Sequence, residues 1–98
     1  MIRYQVNIKP TAENDIERRY VSIAEDSPQN ALKWYLTIID AIEKLNVMAE
    51  RCPLAPEDVD IQQGIRHLII GRYRVLYRIN GSDVDVLHVR HSAKARVL

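Results

Sequence analysis

Ninety-eight residues, 47% of them hydrophobic and 28% charged, have the composition of one ordinary globular domain, taken as residues 1–98. This excludes a disordered or collagen-like chain. No apolar run approaches the roughly 18 residues of a membrane span, and charge begins at Arg3, so neither a membrane anchor nor a signal peptide is expected. A lone cysteine, Cys52, excludes an internal disulfide and paired-cysteine zinc sites.

The net charge of +1 hides an asymmetry. Residues 1–63 carry seven Lys/Arg against eleven Asp/Glu (−4), and residues 64–98 carry seven against two (+5). The basic half suits a polyanion or an acidic partner, or it is neutralised by the acidic half across the fold. Charge alone leaves both open.

Residues 2–9 alternate, with Ile2, Tyr4, Val6 and Ile8 on one face, which predicts a half-buried strand that Pro10 ends. Thr11 is placed to cap a first helix that carries Glu13, Asp15 and Glu17 near its start and Ala12, Ile16, Tyr20, Ile23 and Ala24 at helical spacing. Asp26-Ser27-Pro28 interrupts it: Ser27 is an N-cap, and Pro28 sits where a missing N–H costs nothing. Ala31, Trp34, Tyr35, Ile38, Ala41, Ile42, Leu45, Met48 and Ala49 then predict a second helix of about five turns, packed antiparallel on the first. Leu36 and Ile39 lie off this stripe. They form a second apolar strip, facing either the rest of the fold or a partner.

Residues 51–63 read as a loop with two prolines and three acids. Three strands follow, at 64–70, 73–79 and 84–90, joined by a Gly71-Arg72 turn and an Asn80-Gly81 hairpin. The order is β-α-α-β-β-β. The predicted class is α+β, with the helical hairpin on one face of an antiparallel sheet.

Enzyme motifs such as GxGxxG, the P-loop, GxSxG and HExxH are missing, and no cofactor or metal is expected. His88 and His91, three apart on a strand, point to opposite faces, and Cys52 has no base beside it in sequence. What remains is arginine. Arg74 and Arg78 share a strand face opposite Tyr73, Val75 and Tyr77, and Arg66 and Arg90 lie on the neighbouring strands. Together the four predict a basic patch on the sheet face away from the helices, suited to phosphate or carboxylate. The alternative is pairing with Asp83, Asp85 or the loop acids, including an internal Arg66–acid pair that fixes the loop.

The segment GIRHLIIGRYRVLYRINGSDVDVLHVRHSAK resembles the C-terminal half of RelE/ParE-family toxins of bacterial type II toxin–antitoxin systems. The likeness rests on Arg66, Leu68, Gly71, Tyr73, Arg74, Val75, Leu76, Tyr77, Val89 and His91, with Tyr4-Gln5-Val6, Pro10, Ala12, Asp15-Ile16, Ser27-Pro28, Ala31 and Trp34 agreeing in the first half. It is closer to the ParE branch. The resemblance implies the same strand–helix–helix–three-strand fold and a cytoplasmic, growth-inhibiting toxin. A cognate antitoxin would neutralise it, and operator DNA would be reached only through that antitoxin.

ParE-like members poison DNA gyrase by contact, whereas RelE-like members cut mRNA on the ribosome. An endoribonuclease reading would use Arg66, Arg74 and His91. Against it stand the acidic Glu57, Asp58 and Asp60 and the absence of any lysine between Lys44 and Lys94. The favoured expectation is therefore inhibition of gyrase or another topoisomerase through Arg74, Arg78, Arg90, His91, Lys94 and Arg96. Antitoxin contacts are expected at Tyr35, Leu36, Ile39, Arg66 and Arg74. A third reading is an inactive member that only binds its antitoxin.

Overall fold

The structure is a computed structural model and describes residues 3–92. Its elements are β1 (Gln5–Ile8), α1 (Pro10–Asp26), α2 (Pro28–Glu43), α3 (Leu45–Met48), a 3-10 turn (Ala49–Arg51), α4 (Asp58–Ile61), β2 (Arg66–Ile70), β3 (Tyr73–Asn80) and β4 (Asp83–His91). The sheet order is β1-β4-β3-β2. The α+β class and element order match the expectation, with three short helical segments (α3, the 3-10 turn and α4) added before β2.

The meander β2-β3-β4 is antiparallel, but β1 pairs parallel to β4, with Gln5 opposite Asp83 and Ile8 opposite Val86. The sheet is thus mixed rather than antiparallel throughout. The cause is local: only Lys9 separates Ile8 from Pro10, so α1 continues β1's direction instead of reversing it. Chain direction then alternates from α1 to α2, β2, β3 and β4, which leaves β4 running the same way as β1.

Pro10 opens α1 rather than merely ending the strand, and Lys9 is the N-cap. Thr11 caps nothing; its hydroxyl donates to the Leu87 carbonyl at 2.6 Å. Asp15, one turn on, accepts the Val89 N–H at 3.1 Å. β1 is short, so beyond Val86 the edge of β4 is bare of strand, and α1 side chains satisfy its peptide groups instead. Ser27 behaves as predicted and accepts from the Asn30 N–H at 3.2 Å. The second helix is shorter than its apolar stripe: regular helix stops at Glu43, and a tighter turn carries Leu45 and Ala49 into the core.

That core lies between the helices and one sheet face. Ile16, Ile38, Ile42 and Leu45 pack on Val75, Tyr77, Val84, Val86 and Val89, with Cys52 buried at the margin. The Tyr77 hydroxyl donates to the Ala49 carbonyl at 2.5 Å. Burial pushes the Tyr77 phenol well above its ordinary pKa, with Cys52 adding to the rise.

The opposite sheet face is not open to solvent as expected. Residues 52–65 fold across it, and Ala55 and Ile65 make a second small core with Leu76 and Leu87. Asp58 holds this cover in place, its Oδ1 accepting the Gln63 N–H at 2.8 Å and the Ile65 N–H at 2.9 Å.

Candidate functional site

β3 keeps strict alternation, so Arg74 and Arg78 project away from the helices, as the sequence predicts. Arg90 stands opposite Arg74 in register and joins them on that face. Arg66 does not. It is opposite Tyr77, on the helix side, and its Nη1 donates to the Cys52 carbonyl at 2.5 Å and the Glu50 carbonyl at 3.4 Å. It anchors the loop through backbone oxygens rather than through an acid. Nearby, the Tyr4 hydroxyl donates to Glu50, and that bond raises the phenol's pKa.

The expected exposed basic patch is also corrected at Arg74. Arg74 is 5% exposed and Glu57 3% exposed. Their fork is bidentate: Nη1 to Oε1 at 3.0 Å and Nη2 to Oε2 at 2.7 Å. His67 Nδ1 lies 3.3 Å from the same guanidinium. The Arg74 bonds hold the Glu57 carboxyl below its usual pKa against the opposing effect of burial, and the Arg90 charge adds to this. Asp85 is engaged from the β1 side, by Asn7 Nδ2 at 3.3 Å and Lys9 Nζ at 3.7 Å. Arg78 instead reaches Gln63 Oε1 at 3.5 Å.

His91 pairs with Tyr73 across the strands, and their rings meet edge-on with centroids 5.3 Å apart. Tyr73 also meets Trp34 at 5.3 Å and carries the Arg19 guanidinium 5.7 Å from its centroid. His91 and Arg66 are therefore on the helix side and Arg74 on the loop side. Arg66 is level with Tyr77 and His91 with Tyr73, four residues along β3, or about 13 Å at strand rise. The sheet separates Arg74 from the other two candidate catalytic residues, and distance separates Arg66 from His91. Lys94 and Arg96 lie outside the described residues.

The helical hairpin carries an exposed apolar strip. Leu36 is 57% exposed, and Leu32 and Tyr35 are exposed beside it, whereas Ile39 is half-buried and packs on the core. Between α1 and α2 runs a groove of about 530 Å³ lined by Ile8, Ile16, Tyr20, Leu32, Tyr35 and Ile39, with Glu13 and Glu17 along it. Tyr20 and Tyr35 meet edge-on, 6.0 Å between centroids.

Sequence reading missed the contact between α1 and β4. His88 Nδ1 lies 3.0 Å from Asp15 Oδ2, so this histidine is tied to a helix 73 residues away in sequence. The signal was present as the polar spacing Thr11, Asn14, Asp15, Arg18 and Ser22, one side of α1 that a solvent-facing reading leaves unassigned.

With this geometry in view, the likenesses to known proteins are specific. The family model for the ParE toxin of the type II toxin–antitoxin system parDE matches residues 6–96. No curated protein matches the chain in sequence. Among solved structures, a chain of the chromosomal ParDE toxin–antitoxin system of P. aeruginosa superposes with a TM-score of 0.76 at 20% identity, covering 91% of this chain and 96% of that one. A chain of the RelBE2 toxin–antitoxin complex of Mycobacterium tuberculosis superposes with a TM-score of 0.66 at 26% identity, covering 96% and 97%. Among the described residues no helix is long and apolar enough to cross a membrane.

Proposed function

The chain belongs to the ParE toxin family of type II toxin–antitoxin systems, and from that membership we propose a cytoplasmic toxin that acts by contact on DNA gyrase or another topoisomerase and is neutralised by a cognate antitoxin. The observation that carries the contact reading is the dispersal of Arg66, Arg74 and His91. Cleaving RNA needs a base, an acid and a charge stabiliser converging on one phosphate. Here one candidate holds loop carbonyls, one is bonded bidentately to a buried carboxylate, and one stacks on Tyr73 at the far end of the sheet. A guanidinium buried against the Glu57 carboxylate is not presented to a phosphorane at the surface.

Target contacts are assigned to Arg78, Arg90 and His91, with Lys94 and Arg96 beyond the described residues. Arg78 and Arg90 share the loop side with the buried Arg74, and His91 is on the helix side. The antitoxin is assigned to the α1–α2 groove and to Tyr35, Leu36 and Ile39, where an amphipathic segment would bury its apolar side and set basic groups toward Glu13 and Glu17. Its association rate should fall with salt while apolar anchors govern dissociation.

Induced expression in bacteria with two readouts tests this function. Topoisomerase-linked DNA breaks with an SOS response, and no site-specific mRNA cuts, are expected. Truncation after Arg90 should abolish toxicity. Discrete mRNA cuts without DNA breaks would replace the contact reading with ribosome-dependent cleavage.

A further inference from the structure

We propose that Glu13 and Glu17 make the α1–α2 groove selective for a basic helix and exclude an acidic one; this rests on the groove being the seat of the antitoxin and concerns which antitoxin it admits. Apart from Ile8 at one end, every residue of the lining comes from α1 or α2. The peptide groups of a helix interior are bonded within the helix. An extended segment laid along these walls would bury N–H and C=O groups with nothing to bond, whereas a helix satisfies its own. Apolar side chains at i, i+3, i+4 and i+7 of that helix would enter between Ile16 and Tyr20 on one wall and Leu32, Tyr35 and Ile39 on the other.

A separate observation is the sign of the charge. Glu13 and Glu17 are the charged residues of the lining, and both are acidic. Both are exposed, and among the described residues neither forms an ion pair. Glu13 lies in the first turn of α1, where the helix dipole favours a carboxylate. Glu17 lies a full turn further on, where that effect has faded. Four residues apart, the two carboxylates share one helix face and stand about 6 Å apart along its axis. Cations three or four residues apart on the incoming helix match that spacing, and carboxylates at the same places would meet like charge. The feature is local, because the whole chain carries +1 and does not by itself favour a basic partner.

The test is an NMR titration of the ¹⁵N-labelled full chain with two synthetic helical peptides of 17 residues, the length of α1. Both carry Leu at i, i+3, i+4 and i+7 spacing; the flanking positions are Lys in one and Glu in the other. Affinity is read from the amides of Tyr20 and Leu32, so that binding elsewhere on the chain does not count. The Lys peptide should bind about tenfold or more tightly than the Glu peptide, since two attractions replace two repulsions, each worth a factor of about two. The gap should narrow in high salt. Glu13→Gln/Glu17→Gln should bring the two peptides within about threefold of each other. Glu25→Gln, an exposed position of α1 outside the groove, should leave the gap unchanged. Equal or tighter binding of the Glu peptide, a gap that survives Glu13→Gln/Glu17→Gln, or an equal loss in Glu25→Gln overturns the selectivity and leaves the groove as a seat for a helix. Failure of both peptides to move these amides overturns the seat itself, and the selectivity with it.

Discussion

The two faces of the sheet are built on different chemistry. On the helix side, Val75, Tyr77, Val84 and Val86 meet Ile38, Ile42 and Leu45, so stability there comes from apolar area and close packing. On the loop side, a small apolar cluster around Leu76 is bordered by a buried ion pair and by a carboxylate bound to backbone N–H groups. The first face spreads its attraction, which has no direction, over many side chains. The second concentrates it in one pair, because a buried charge without its partner is far more costly than the pair. A face that reads as a solvent-facing arginine row is thereby turned into a fastener for the loop.

The largest effect should come from breaking that fastener on one side. Glu57→Ala leaves the Arg74 guanidinium buried and unpaired and should cost about 3–5 kcal/mol in urea denaturation. The double variant Glu57→Leu/Arg74→Met should recover most of this loss, since replacing both charges with apolar groups is often near neutral. If the double variant were no more stable than the single, the pair would not be the source of the cost.

Helix-face truncation comes next. Ile42→Ala should cost about 2–4 kcal/mol, with no apolar partner able to restore it fully. Tyr77→Phe removes the bond to the Ala49 carbonyl and should cost about 1–3 kcal/mol in the same assay. At the helix start, Ser27→Ala should cost about 1 kcal/mol, because the Asn30 N–H loses its acceptor.

Acid should separate the two faces without any mutation. The folded Glu57 pKa is depressed by Arg74, so the folded state prefers the carboxylate. Its contribution is complete above the usual glutamate range near about 4.3, and it is lost as pH falls through the lower folded value. Stability should therefore decline below about pH 4.3 in the parent, and less steeply in Glu57→Leu/Arg74→Met. Equal slopes in the two proteins would contradict the assignment.

Much of the fold was legible from periodicity. Ser27-Pro28 marks the helix break because capping chemistry is local, and Asn80-Gly81 marks the hairpin because Gly81 takes a φ of +62° there. The direction of β1 was not legible, since its pairing depends on how α1 meets β4, 76 residues apart at Thr11 and Leu87, rather than on alternation in residues 2–9. The helix-facing set Tyr73, Val75 and Tyr77 was read correctly from period two. Period two cannot say what covers the other face, so Arg74 looked available when Glu57, 17 residues earlier, fills its fork. Arg66 was misplaced because its face is set by the register of β2 against β3, with Arg66 opposite Tyr77, which nothing within RHLII reveals.

The central claim is that Arg66, Arg74 and His91 are not one catalytic unit. His91 tests it most directly, because its ring is half-buried at the sheet's end and its loss should leave the fold intact. The measurement is growth arrest on induction of His91→Ala beside the parent, with circular dichroism confirming that the variant is folded. A catalytic acid or base typically contributes about 10²–10⁴-fold in rate, whereas one interface side chain is usually worth far less. The account predicts that the variant still arrests growth. Loss of arrest by a folded His91→Ala, together with site-specific mRNA cuts by the parent, would contradict it.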